Sequence, residues 1–271
     1  VLQLKTARRV IPRGGGPIRE RLGRPDERLV FVIGCPRSGT TFLGGAVGTL
    51  PGFVDLGEVH ALKASIPELA ALPPEEAAPR IRRLLDATRR IGLVGARRAV
   101  EQTPETSFVA RAAALAFPEA AFLHIVRDGR DVVCSLLERG WLSGGREGTD
   151  DAGLPYGAEP RFWVEAGRRE EFTVVSDARR AAWAWRRYVG AARALGDRAV
   201  EVRYERLSSD PGTVAAELAE RLGVDADPLA TRLAQAHAAS VGRFRTELGP
   251  DRLADVEDEA GALLAELGYV D

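Results

Sequence analysis

The sequence predicts a single α/β domain in which a parallel sheet is flanked by helices on both faces. Short apolar runs at 29–33, 53–55, 99–102, 122–126 and 199–204 have the length and composition of strands. Helical patterns lie between them, over 39–50, 61–72, 74–91, 105–117 and 177–195, and the chain after 204 reads as helical. Strands separated by helices place the strands in parallel with helices covering both faces. The chain has 271 residues, 45% of them hydrophobic, which suits one large core, and no internal repeat is visible.

Two stretches interrupt the alternation. Residues 1–28 are rich in Arg, Gly and Pro, with Gly14-Gly15-Gly16-Pro17 at their centre, and read as an irregular basic arm ahead of a domain at 29–271. Between 140 and 176 glycine, proline and charge dominate, which predicts a loop-rich insertion. Trp183 and Tyr188, five residues apart on a predicted helix, read as core.

The first strand runs directly into Gly34-Cys35-Pro36-Arg37-Ser38-Gly39-Thr40-Thr41-Phe42. Gly34, four residues, then Gly39 and Thr41 fit the P-loop pattern, so the sheet is expected to be of P-loop type. The lysine that reaches the β- and γ-phosphates is replaced by Thr40, and Arg37 stands inside the loop. Backbone N–H groups of such a loop and the following helix N-terminus favour an anion. The missing lysine argues against ordinary ATP or GTP chemistry. About ninety residues on, the run 122–126 ends in Arg127, followed by Asp128 as a candidate N-cap and Asp131 in the first helical turn. Ser135 follows two turns into that helix. Arginine and serine there can both donate to one phosphate.

These segments together resemble the PAPS-dependent sulfotransferases, whose donor is 3′-phosphoadenosine 5′-phosphosulfate. The form Pro36-Arg37-Ser38-Gly39-Thr40-Thr41, with arginine rather than lysine, resembles the tyrosylprotein-type and related bacterial branches more than the cytosolic small-molecule enzymes. The resemblance implies that Arg37, Ser38, Gly39, Thr40, Thr41 and Phe42 hold the 5′-phosphosulfate, and that Arg127 and Ser135 hold the 3′-phosphate. Val202-Arg203-Tyr204-Glu205-Arg206-Leu207 resembles the family's segment near the adenine, which brings in Tyr204. The stretch Ser240-Val241-Gly242-Arg243-Phe244-Arg245 resembles a segment of bacterial members, adding Ser240 and Arg243. The expected activity moves a sulfuryl group from PAPS to a hydroxyl of a small molecule, glycan or peptide and releases PAP. Arg37 is the leading cation for the phosphosulfate bridge.

Glu58, just after the second strand, takes the place of the catalytic base in tyrosylprotein-type enzymes, and His60 is its rival, since cytosolic members use a histidine. The family commonly carries a lysine where Glu101-Gln102-Thr103-Pro104-Glu105 has Gln102, which offers a hydrogen bond but no charge. The resemblance implies that the variable 140–176 segment shapes acceptor choice. Two other readings stay open from the residues: a P-loop phosphotransferase using ATP, and a non-catalytic nucleotide-binding module.

Composition narrows the setting. The net charge of −1 gives no reason to expect nucleic acid or an acidic membrane as partner. Lys5 and Lys63 are the only lysines, and this arginine skew suggests a bacterial origin with a GC-rich genome. Cys35 and Cys134 each fall inside an anion motif, so neither a disulfide nor a metal site is implied. With no signal peptide or membrane span legible, the expectation is a cytoplasmic protein that needs no metal. Cys35, beside a helix N-terminus, is a minor candidate nucleophile.

Overall fold

A computed structural model describes residues 25–270, together with Leu4, Thr6 and Gly23. The predicted basic arm therefore lies outside the described residues, apart from those three and 25–28. Five strands, β1 (Val30–Ile33), β2 (Phe53–Gly57), β3 (Arg98–Glu101), β4 (Ala121–Val126) and β5 (Ala199–Arg203), form one sheet in the order β2-β3-β1-β4-β5. Every pairing is parallel.

Side-chain alternation along β1 explains why both faces are covered. Phe31 and Ile33 point to one face, with Val54, Leu56, Ala99 and Phe122, into a core closed by α2 (His60–Leu69), α3 (Pro74–Ile91) and α4 (Ala110–Ala116). Val30 and Val32 point to the other, with Val100, Leu123 and Ile125, beneath α1 (Thr40–Gly48). That second face is completed later in the chain by α9 (Pro211–Leu222) and α10 (Ala226–Leu233). A third core lies beyond β4. There α5 (Gly129–Arg139), α7 (Asp177–Arg193) and α12 (Pro250–Glu266) pack around Trp163, Phe172, Trp183 and Trp185. Trp183 and Tyr188 are fully buried, as predicted.

Two predicted elements differ. The helix expected over 105–117 is a 3-10 segment, Pro104–Val109, followed by the short α4. Hydroxyls in it bond elsewhere: Thr106 donates to Glu101 at 3.0 Å, and Ser107 donates to the Pro104 carbonyl at 2.7 Å. Such side-chain bonds compete with regular helix. The 140–176 insertion is irregular only as far as Glu165. A 3-10 turn, Ala166–Arg168, and α6 (Arg169–Val174) follow. The remaining short helices are α8 (Tyr204–Ser209) and α11 (Phe244–Glu247).

The chain leaves β1 for the edge strand β2, returns through β3, and then crosses to β4 on the other side of β1. The C-terminal end of β1 is thus the topological switch point, where a parallel sheet opens a crevice for ligands.

Candidate active site

The loop at that switch point is shaped by glycines. Gly34 has φ 144°, and a Cβ there would lie 2.4 Å from the Ile125 carbonyl oxygen. Gly39 has φ 101°, and a Cβ there would lie 2.7 Å from the Tyr204 ring. Arg37 itself is left-handed at φ 73°, an uncommon conformation for a side-chain-bearing residue. No side chain caps the N-terminus of α1. The Ser38 hydroxyl is buried without a hydrogen-bond partner. Together these features fit an anionic ligand, which would take up the helix N–H groups and the orphan hydroxyl.

The structure joins the two sequence motifs. Arg37 Nε donates to Ser135 Oγ at 3.0 Å, and Arg127 Nη1 donates to the Arg37 carbonyl at 3.3 Å. Burial lowers the Arg37 pKa, and the nearby Arg139, Arg127 and Arg243 add to that effect against the opposing charge of Glu138. A guanidinium held among like charges is stabilised by an arriving anion. Arg127 also donates to the Ser240 carbonyl, and its Nε is buried without a partner. Its guanidinium lies 4.9 Å from the centre of the Tyr204 ring. Tyr204 therefore supports both Gly39 and Arg127 from below.

Arg243 is turned toward carboxylates instead. Its Nε donates to Glu247 at 2.8 Å, and its guanidinium also pairs with Glu138. Ser240 contributes its carbonyl to Arg127. Thr40 is buried, while Thr41 opens onto the adjoining cleft and Phe42 packs against the core beneath α1. Burial raises the Cys35 thiol well above its ordinary pKa and pushes Cys134 up to about 12. Neither is a thiolate nucleophile at neutral pH.

The loop faces a cleft of about 240 Å³ whose lining includes Arg37, Thr40, Thr41, Glu58 and His60. Gly57, at φ 66°, ends β2 and turns Glu58 into it. The Val59 N–H donates to Thr103 Oγ1 at 2.9 Å, which ties the start of α2 to the segment after β3. One turn into α2 stands Lys63, the residue that sequence reasoning missed. Its Nζ lies 2.9 Å from Glu58, 3.1 Å from Asp150 and 3.6 Å from Glu105. Burial acts to lower its pKa, but Glu105, Glu58 and Asp150 overcome that and raise it. Glu105 accepts from the Tyr188 hydroxyl at 3.1 Å, and burial raises its pKa.

His60 Nε2 lies 3.6 Å from Asp151. Trp141, Asp150, Asp151, Tyr156 and Arg161 all come from the irregular insertion and line the same cleft. Gln102 does not. It is buried, donates to Asp55 at 2.8 Å and packs against Gly44 of α1. Lys63, from α2, brings an ammonium into this cleft beside Arg37 and Arg161. Its position as one of two lysines was the available signal.

The parallel sheet thus carries an arginine-bearing loop at its switch point, beside a cleft whose lining includes Glu58, Glu105, Asp150 and Asp151. A family model described as "Sulfotransferase family" matches residues 71–228, more than half of the chain. The chain belongs to the sulfotransferase family. Its fold is similar to the sulfotransferase domain from the curacin biosynthetic pathway, at 15% identity and TM-score 0.61 over 92% of this chain and 99% of that one. It is also similar to the sulfotransferase domain from the Synechococcus PCC 7002 olefin synthase, at 19% identity and TM-score 0.54, covering 89% and 95%. Sulfotransferase STF9 from Mycobacterium avium aligns at 15% identity and TM-score 0.50, covering 96% of this chain and 81% of that one. No curated protein matches by sequence. Among the described residues no helix is long and apolar enough to cross a membrane.

Proposed function

We propose that the protein transfers a sulfuryl group from PAPS to an acceptor hydroxyl and releases PAP. The observation that carries this reading is the contact of Arg37 with Ser135 and Arg127, at the mouth of a cleft holding Glu58. In this reading the loop N–H groups, Ser38 and Arg37 receive the phosphosulfate, and Arg127 and Ser135 receive the 3′-phosphate. Arg37 exchanges its bond to Ser135 for the ligand. Tyr204 supports the pair from beneath.

Glu58 takes the acceptor proton. The acceptor oxygen bonds to sulfur while the bond from sulfur to the phosphate oxygen breaks, leaving its electron pair on PAP. Arg37 and the loop amides stabilise that growing charge. Lys63 holds Glu58 in place and brings positive charge to the cleft, the role that Gln102 is not positioned to fill. A sulfuryl group carries less negative charge than a phosphoryl group, so these cations suffice without a metal.

The test compares melting temperatures with PAP, with ATP plus Mg²⁺, and with neither. At a hundred times its Kd, a ligand adds about 2.7 kcal/mol of stability. PAP alone should raise Tm, and ATP–Mg²⁺ should do little; the reverse result would make this a phosphotransferase. Glu58→Gln should keep the PAP shift and lose turnover by at least about a hundredfold. Full turnover in that variant would remove Glu58 from the mechanism.

A further inference from the structure

The peptide between Arg127 and Asp128 is gripped at both ends. Its carbonyl accepts from the Trp185 indole at 3.0 Å, and its N–H donates to Glu205 Oε1 at 2.8 Å. Asp128 is the N-cap of α5, so this N–H lies ahead of the helix and has no partner within it. A planar peptide held from both sides fixes the direction in which the Arg127 side chain leaves the backbone. The other carboxyl oxygen of Glu205, Oε2, accepts from the Tyr269 hydroxyl at 3.1 Å.

Tyr269 reaches this point because α12 ends in a glycine turn. Gly268, at φ 72°, donates to the Ala265 carbonyl at 2.9 Å, and the Tyr269 N–H returns to the Leu264 carbonyl at 2.9 Å, a Schellman ending. Two other elements then tie the turn to the site. Arg130 of α5 donates to the Tyr269 carbonyl at 2.6 Å and to the Asp128 carboxylate at 2.7 Å. Arg203 of β5 donates to the Leu267 carbonyl at 2.6 Å, and its guanidinium lies 5.2 Å from the centre of the Tyr269 ring.

From this arrangement we infer that Glu205 and Tyr269 are positioning residues for the co-substrate: by holding the Arg127–Asp128 peptide they set the affinity for a nucleotide that bears a 3′-phosphate. They act through Arg127 rather than on the nucleotide itself. The inference rests on the sulfuryl-transfer reading, which gives Arg127 to the 3′-phosphate, and deepens it. Aim matters here because a hydrogen bond weakens steeply as it bends, and Arg127 Nε is a buried donor with no partner in the fold.

Calorimetry on the full chain compares PAP with 5′-AMP, which lacks the 3′-phosphate. Tyr269→Phe removes one hydroxyl and keeps the ring; it should weaken PAP by at least about threefold and change 5′-AMP by less than about twofold. Glu205→Ala leaves the Asp128 N–H without its acceptor and should weaken PAP by at least about tenfold, again sparing 5′-AMP. Glu205→Gln, whose amide oxygen still accepts from that N–H, should recover most of the loss. Adding Tyr269→Phe to Glu205→Ala should bring no further loss, since both act through one carboxyl. Unchanged PAP affinity, equal losses for the two nucleotides, additive losses, or no recovery in Glu205→Gln would each overturn the inference. If the parent binds PAP no tighter than 5′-AMP, the fault lies earlier, in the assignment of Arg127 to the 3′-phosphate. Should Glu205→Ala not fold, Tyr269→Phe decides.

Discussion

Glu101 ends β3 with its side chain wholly buried, and burial pushes its carboxyl up to about 8. The Thr103 N–H at 2.8 Å and the Thr106 hydroxyl at 3.0 Å favour the charged form but do not restore an ordinary value. Between the ordinary value of 4.5 and about 8, the folded chain therefore holds a proton that the unfolded chain has released. Stability must fall as pH rises through that window, by up to about 1.4 kcal/mol per pH unit from this group. Glu101→Gln removes the titration, and a reversed Thr106 hydroxyl can accept from the new amide. Denaturant unfolding from pH 5 to pH 8 should show a shallower slope in the variant than in the parent. Identical slopes would mean that Glu101 titrates at an ordinary value. From the sequence alone, Glu101 read only as part of a motif around Gln102, because nothing local reveals its burial.

At the scale of elements, α5 does more than present Ser135. Asp131 in its first turn accepts from the Gly242 N–H at 2.8 Å and the Phe244 N–H at 3.0 Å, and lies 3.8 Å from Arg127. It ties the 240–244 segment to the helix that follows β4, and so fixes the Ser240 carbonyl that holds Arg127. Asp131→Asn keeps the shape but exchanges one acceptor oxygen for a donor. The loss of one charge-assisted bond should cost roughly 1.5–3 kcal/mol of stability. PAP affinity should drop with it, measured by titration below the variant's Tm; unchanged affinity would separate this clamp from the anion site. The sequence made β1, its loop, β4 and the start of α5 readable, since each follows from local periodicity and turn chemistry. Asp131 read as a first-turn charge, because the two backbone N–H groups it accepts from lie more than a hundred residues away. The same limit explains Arg243, read from its motif toward the nucleotide but paired in the fold with Glu138 and Glu247.

On the scale of the whole molecule, the cleft is assembled from pieces that adjoin only after folding. Lys63 comes from α2, Glu105 from the turn after β3, and Asp150 from the insertion, so their convergence has no sequence signature. The helical layer beyond β4 reaches the site through Trp185, whose indole N–H donates to the Arg127 carbonyl at 3.0 Å. That layer is pinned by Glu259 of α12, only 1% exposed, which meets Arg186 at 2.7 Å, Arg168 at 2.8 Å and Arg179 at 3.5 Å. Glu259→Gln leaves three guanidiniums around a neutral group. The arginines are a quarter to a third exposed, so water screens part of their repulsion. The cost should be about 2–4 kcal/mol, somewhat less than breaking a fully buried pair, and Tm should fall by several degrees. Because Trp185 anchors Arg127 through its own packing, PAP should bind the folded variant as tightly as it binds the parent. A weakened PAP complex alongside the lowered Tm would show instead that the α7–α12 layer sets the position of Arg127, and that stability and co-substrate binding are coupled through Trp185.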